Sequence, residues 1–432
     1  MNARQTAAAA LLAVEQEGSY SNLVLEPWFR RENLSPQDRA FCSALFYGVL
    51  ERRITLDWVL DRYSRTPVRK LEPEIRAALR LGALQLTAFS SVPAAAAVSE
   101  SVEVVRALGK GKAAGLVNGV LRAMLRGNCA APPPKDKLTA LSVAYSVPAP
   151  LIQLWRRSYG HDTALEILGG TRGPAPIFAR VNTVKITTAA LRERLASEGT
   201  ASELIPGVKD ALRLVDPGAV GESPAFREGL FHIQDISSQL CTAALEARPG
   251  MEVLDLCAAP GGKTFTLAQR MGDRGRVLAR ELHPQRLELV AEGAARLGLS
   301  SVETQPGDAL VLDPGLVERF DRVLCDVPCS GLGTLRRKPE IRYKPLDSLD
   351  GLPDMQYNIL WNASHYLKRG GRMVYSTCTL NPAENEEVVE RFLAKERDYG
   401  LAEPPKSWVH GRDGLDCDGF FTAVLVRKGE SG

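Results

Sequence analysis

Two cysteines in this sequence carry the most specific chemistry. Cys329 lies in CDVPCSGLG and Cys378 in VYSTCTLNPAENEE. Asp326-Val327-Pro328-Cys329 closes one apolar run and Ser376-Thr377-Cys378 closes the next, so neighbouring strands would aim two thiols at one crevice. A lone cysteine at a strand end is usually a small buried hydrophobe; a pair with a carboxylate beside it asks for a reaction. A thiolate is a soft nucleophile suited to C6 of a pyrimidine. Attack there makes C5 an enamine-like carbon able to take a methyl group from a sulfonium donor. A carboxyl group at the N3/N4 edge of the ring would stabilise the developing charge, and Asp326 is the candidate. A proton then leaves C5 and the thiol is eliminated. The chemistry by itself does not say which thiol attacks. Arg336, Arg337, Lys338, Arg342 and Lys344, with Tyr343 among them, follow closely and are expected to hold phosphates near the target base. The plainer alternative is a solvated basic loop.

A second stretch, MEVLDLCAAPGGKT from Met251 to Thr264, reads as a short buried strand, a tight turn of small residues and a helix start. Such a turn places unpaired backbone N–H groups and a positive dipole end beside a ligand. Its GGKT ending resembles a phosphate-binding P-loop, but the first glycine of that pattern falls on Cys257, and Pro260 removes a donor. The other reading is the loop of an S-adenosylmethionine enzyme. Three acidic residues at successive strand ends favour it: Glu281, placed to hold a ribose diol, Asp308, placed to meet an adenine amino group, and Asp326. Each alone would pass for a loop or cap carboxylate. Asp326 also fits a Walker-B aspartate, which keeps a nucleotide hydrolase in play.

The elements that must position these residues fall into three regions. Residues 1–130 read as all helix, with Phe41, Leu45, Phe46, Val49 and Leu50 at helical spacing and Ser35-Pro36 as a helix start. Arginines at 30, 31, 52, 53, 62, 65 and 69 interleave with aromatics there, as an RNA-binding face or as an ordinary solvated surface. Residues 131–147, with three consecutive prolines, read as a linker. Residues 148–240 mix helix (151–168, 188–197) and strand (177–184, 211–215) as a small α+β segment. Residues 241–432 alternate strands (276–281, 301–303, 321–326, 372–376) with helices (284–297, 353–367, 382–394), the pattern of a parallel, doubly wound α/β sheet. A last strand over 420–427 would be antiparallel.

Composition fits a globular chain: 432 residues, 45% hydrophobic, 24% charged, net charge +3, and no apolar run long enough to span a membrane. The mild positive charge permits a nucleic-acid partner without demanding one. The apolar start runs into Glu15 and Glu17 at helical spacing with no cleavage site, so a secretion signal is not expected. Eight cysteines without a C-x-x-C pair, and five scattered histidines, argue for reduced cytoplasmic thiols rather than disulfides or zinc.

LDLCAAPGGKT, DVPCSGLG, STCTLNPAENE, RVN at 180–182 and QDISSQL together resemble the RNA 5-methylcytosine methyltransferases of the Nol/Nop/Sun family. The helical N-terminal region is similar to the antitermination factor NusB, which narrows the resemblance to members acting on bacterial small-subunit rRNA. It covers nearly the whole chain. It implies a Rossmann-like class I methyltransferase sheet with S-adenosyl-L-methionine as cofactor. By that resemblance the cofactor loop is Cys257, Ala258, Ala259, Pro260, Gly261, Gly262 and Lys263, with further contacts from Glu281, Asp308 and Asp326. Cys378 corresponds to the nucleophile and Cys329 to the cysteine that assists release of the methylated RNA. Glu281 stands where the family usually has aspartate, Val327 replaces the usual alanine, and TCTL differs slightly from the common TCS. The expected activity is methylation of a cytosine C5 in 16S rRNA by a cytoplasmic monomer with no metal. The rivals are a tRNA or another rRNA site, a nucleotide hydrolase, and a non-catalytic ribosome-assembly factor that binds RNA.

Overall fold

The structure, a computed structural model, describes residues 1–18 and 21–429. The chain forms two compact units, residues 1–174 with 335–346, and residues 175–334 with 347–432.

The first unit is helical: Ala3–Glu17, Ser21–Glu32, Pro36–Tyr63, Pro73–Ala88, Ala94–Ala107 and Ala114–Arg126, then Lys137–Tyr145, Ala149–Tyr159 and His161–Gly169. Local chemistry sets the starts. The Ser35 hydroxyl accepts from the Asp38 amide ahead of Pro36, and Asn2 and Gln5 form a reciprocal capping box. Leu45, Phe46, Val49 and Leu50 are buried in one core with Phe41 packed against it, as the helical spacing predicts. Two expectations change here. Residues 137–145, read as part of a linker, form a helix capped by the Asp136 side chain. The helix expected over 151–168 is two, parted at Gly160, whose φ of 83° is foreign to a helix. Among the described residues no single helix is long and apolar enough to cross a membrane.

The second unit holds two sheets. The smaller is antiparallel and contains β1 (Ile177–Val181), β2 (Ala201–Leu204), β3 (Ala211–Val215) and β4 (Phe231–Ile233) in the order β2-β3-β1-β4. The larger contains β5 (Glu252–Asp255), β6 (Arg276–Glu281), β7 (Val302–Pro306), β8 (Phe320–Asp326), β9 (Leu367–Thr377), β10 (Tyr399–Leu401), β11 (Lys406–Trp408) and β12 (Phe420–Arg427). Its order is β10-β12-β9-β8-β5-β6-β7, with β11 pairing beside β12. The pairs from β9 to β7 are parallel, and β12 runs antiparallel to β9 with Phe421 opposite Thr377. Helices Gly262–Arg270, Pro284–Leu297, Leu352–Tyr366 and Glu386–Lys395 connect the strands. This is the Rossmann-like α/β architecture expected from the alternation. The order turns at β5, which pairs with β6 on one side and β8 on the other. Ligands in such sheets bind beyond the carboxyl ends of the strands at that switch point.

The RVN asparagine ties the two sheets of this unit together. Asn182 is fully buried, and its amide nitrogen donates to the Gly229 and Leu297 carbonyls, the latter at the end of helix Pro284–Leu297.

Candidate functional site

Beyond the ends of β5 and β8 lies a cleft of about 180 Å³, lined by Gln234, Ser238, Asp255, residues 257–260, Gly262, Lys263 and Asp326 with Ile233. All of these but Ile233, Gln234, Ser238 and Asp255 belong to the expected cofactor loop or to the acidic strand ends. The loop is shaped by its small residues. Gly261 has φ 106°, and a Cβ there would run into the Phe265 ring. The loop hands directly into helix Gly262–Arg270.

Asp255 was missed in the sequence, where it reads as one position of an apolar strand. It is 1% exposed; Thr264 donates to its Oδ2 at 2.7 Å, while its Oδ1 has no hydrogen-bond partner. Burial, opposed by the Thr264 bond and aided by the nearby Asp326 charge, pushes the carboxyl up to about 7. A buried acceptor left open on a ligand cleft fits the ammonium of an amino-acid moiety. The signal was there: a lone carboxylate inside a buried strand, immediately before a glycine turn.

Glu281 and Asp308 lie on the far side of β5, at the end of β6 and just past β7, and do not line this cleft. The two strand ends adjoin, with Glu281 opposite Pro306 and the Gly307 amide donating to the Glu281 carbonyl. Glu281 is buried and accepts from the His283 amide and from Arg286, both at 3.2 Å. Asp308 is half-buried and turns back onto the Leu310 amide at 2.8 Å. Carboxylates at these two strand ends have the acceptors that the hydroxyls and amino group of a nucleoside would need.

On the β8–β9 side the two thiols come together. Cys329 and Cys378 are half-buried, with their sulfurs 3.4 Å apart. The Cys329 thiol is held well above its usual range, first by its hydrogen bond to the Cys378 sulfur and then by burial. The pair therefore carries one negative charge more readily than two. Gly333 donates its amide to the Cys378 carbonyl at 3.0 Å and lies so close to Gly419 that any side chain would strike the Gly419 carbonyl. The Cys257 thiol is likewise raised, chiefly by burial, which makes it loop lining rather than a nucleophile.

Lys263 links loop to thiols. Its Nζ is 2.6 Å from Asp326 Oδ2, while the Ser376 hydroxyl donates to Asp326 Oδ1 at 2.8 Å. Burial alone would lower the Lys263 ammonium, but Asp326 and the neighbouring Cys241 and Cys378 thiols raise it further than burial lowers it. Lys263 is thus a fixed cation at the thiol site, not the phosphate-gripping lysine of a P-loop.

The basic stretch after Cys329 needs correction. Residues 335–346 belong to the helical unit. Arg342 is 2% exposed and donates to the backbone carbonyls of Glu51, Tyr145, Ser146, Thr171 and Leu335. Tyr343 donates to the Leu50 carbonyl at 2.7 Å and lies under the Arg53 guanidinium at 4.1 Å. Neither holds a phosphate: five convergent carbonyls are a better partner for a buried guanidinium than solvent. Arg53 leaves the proposed RNA face because it stacks on Tyr343, whereas Arg30, which pairs with Glu26 one turn away, and Arg52, Arg62, Arg65 and Arg69 are exposed.

Comparison with known proteins agrees with this geometry. Residues 242–415 match the family described as 16S rRNA methyltransferase RsmB/F, residues 1–126 the NusB family, and residues 147–221 the ferredoxin-like domain of RsmF/B-like methyltransferases. The probable ribosomal RNA small subunit methyltransferase B of Synechocystis sp. is 36% identical, covering 98% of this chain and 96% of that protein. The protein of the same name in Bacillus subtilis is 35% identical over 99% of both. Among solved structures, PH0851 superimposes with a TM-score of 0.84 over 99% of both chains at 24% identity. A methyltransferase homologue from Pyrococcus horikoshii gives 0.60 at 29% identity, over 68% of this chain and all of that one. With relatives this similar along the full length, and a cleft lined by the glycine turn, the open Asp255 carboxylate and Asp326 that fits S-adenosyl-L-methionine as its cofactor, the chain belongs to the RsmB/F family of ribosomal RNA small subunit methyltransferases.

Proposed function

We propose that this enzyme methylates C5 of one cytosine in 16S rRNA through a covalent bond between Cys378 and C6 of the base. The observation that carries the reading is the thiol pair, 3.4 Å apart, beside the Lys263–Asp326 ion pair. S-adenosyl-L-methionine, held by residues 257–263 with Asp255, Glu281 and Asp308 and bordered by Asp326, supplies the methyl group.

The residues act in order. Cys378 enters as the thiolate and Cys329 as the thiol. Attack forms an S–C6 bond and moves the C5–C6 π pair toward C5, while charge spreads to N3 and O2. Asp326 accepts from the exocyclic amino group, and the Lys263 ammonium faces the charge. Once C5 carries the methyl group, the Cys378 sulfur is neutral, so the interaction that kept Cys329 protonated is gone. Cys329 then gives its proton to water and, as thiolate, takes the C5 proton. The freed C–H pair re-forms the double bond, the S–C6 bond breaks, and Cys378 leaves as thiolate. Methyl has replaced hydrogen and one proton has been released.

A base in a duplex is out of reach of such a site, so the substrate cytosine is unstacked or single-stranded. Exposed Arg52, Arg62, Arg65 and Arg69 of the helical unit suit contacts to the RNA backbone. The 16S reading is supported by the names of the matched family and relatives, and with such a substrate the enzyme is expected to act in the cytoplasm, as a monomer.

Cys378→Ala is expected to abolish turnover and adduct formation, and Cys329→Ala to accumulate a protein–RNA adduct that survives denaturing electrophoresis. Methylation by Cys378→Ala at the normal rate would overturn the nucleophile. Bisulfite sequencing of RNA from a strain lacking the gene, with one 16S cytosine losing protection, tests the target; loss in tRNA or elsewhere in rRNA would move it.

A further inference from the structure

Next to the Cys329 turn lies a buried carboxylate that no step of the reaction uses. Glu384, in the NPAENE stretch, is fully buried and accepts four hydrogen bonds. Two come from Ser330, from its amide at 2.8 Å and its hydroxyl at 2.5 Å. The others come from Gln356 Nε2 at 3.0 Å and Asn381 Nδ2 at 2.9 Å. The same Gln356 nitrogen donates to the Pro328 carbonyl at 2.9 Å. Both neighbours of Cys329 in the chain are therefore fastened, Ser330 directly and Pro328 through Gln356. The Cys378 turn has its own fastening. Thr377 donates to Asn385 Oδ1 at 2.5 Å, and Asn385 Nδ2 donates to the Thr379 carbonyl at 3.0 Å. The turns are joined to each other by the Ser330 and Thr379 hydroxyls, 2.7 Å apart.

We propose that Glu384 is a positioning residue that clamps the Cys329 turn against the Cys378 turn and so sets the spacing of the two thiols. Its consequence for turnover rests on the two-thiol reading above. Each Glu384 oxygen receives two of the four donors, Oε1 from the Ser330 hydroxyl and Asn381 and Oε2 from the Ser330 amide and Gln356. Glutamine is nearly isosteric, but its NH2 group would face the Ser330 or Asn381 donors and push one turn away. Aspartate is one methylene short and cannot reach Ser330 and Asn381 together. Displacing a reacting group by about 1 Å costs on the order of a hundredfold in rate, so the loss falls on the chemical step and not on binding.

The test uses the full chain and the Glu384→Gln variant, with Gln356→Met as a second variant should the first fail to fold. Three quantities are read: the Kd for S-adenosylmethionine, kcat and KM with RNA substrate, and the rate at which diamide oxidises Cys329 and Cys378 to a disulfide, followed by mass spectrometry. Glu384→Gln is expected to keep Kd and KM within about threefold, lower kcat by on the order of a hundredfold and slow disulfide formation at least about tenfold. Gln356→Met, which frees only Pro328 and one Glu384 bond, is expected to do the same to a smaller degree. Normal kcat, or normal cross-linking, in Glu384→Gln would overturn the positioning role. Slowed cross-linking with no covalent RNA species in any protein, Cys329→Ala included, would leave the clamp standing and bring down the two-thiol mechanism instead.

Discussion

Lys263 Nζ lies 2.6 Å from Asp326 Oδ2, so the residue that ends the cofactor loop and the residue that ends β8 form one ion pair beside the thiols. Both are largely shielded, with Lys263 13% and Asp326 27% exposed. Removing one partner leaves the other charged and unpaired.

That relationship predicts strongly non-additive kinetics. Lys263→Met and Asp326→Asn are each expected to lower single-turnover methyl transfer by about two to three orders of magnitude, and the double variant to lose little more than the worse single one. Losses that multiply would mean the two side chains act independently.

The buried Arg342 gives a prediction on stability. Arg342→Met strands several carbonyls that now receive its guanidinium, a cost of about 3 kcal/mol or more in urea unfolding. The slope of log K for RNA against log salt is expected to stay unchanged, whereas loss of a phosphate contact would reduce it by about one. A reduced slope at normal stability would restore Arg342 to the RNA.

Why this arginine misled the reading of the sequence is physical. A run of cations is usually solvated, and nothing local to RRKPEIRYK reveals that carbonyls distant in sequence converge on one member. Long periodic elements were legible because their own side chains specify them: β6 and β12 lie where apolar runs put them, and helix Pro284–Leu297 starts at its proline and stops at Gly298. β2 and β4, of four and three residues, were not, since each is completed only by pairing with β3 or β1. At the site, the thiols and strand-end carboxylates showed in residue type and spacing. Asp255 shows only as a lone carboxylate closing an apolar strand, and Glu384 does not show at all, because its importance lies in partners and burial.

His232 supplies an acid-side prediction. It sits against the cofactor-loop helix, with Nε2 3.2 Å from the Gly262 carbonyl and its ring edge-on to Phe265. Burial, then the Arg180 charge, lowers it to about 3. A base depressed in the native state is protonated first in the unfolded chain, so its contribution is intact above about pH 6.5 and is lost as pH falls toward 3. Wild-type stability should fall across that window, and His232→Gln should flatten the fall. Parallel curves for the two proteins would mean that His232 is solvated.

Asp255 gives the opposite sign and ties stability to ligand binding. Its native carboxyl, raised from 3.8 to about 7, holds a proton that the unfolded chain has already lost, so its share of stability is present at low pH and disappears as pH rises through that window. A cationic group of the cofactor against the open Oδ1 favours the ionised form, so binding trades the proton for the ligand. The Kd for S-adenosylmethionine should tighten as pH rises toward about 7 by up to about tenfold per unit, then level off, with proton release in calorimetry below that point. Asp255→Asn should bind weakly at every pH without that slope, and its ligand-free form should melt higher than wild type at pH 8. A wild-type Kd that does not change between pH 6 and 8 would remove Asp255 from the cofactor site and leave it a structural partner of Thr264 alone.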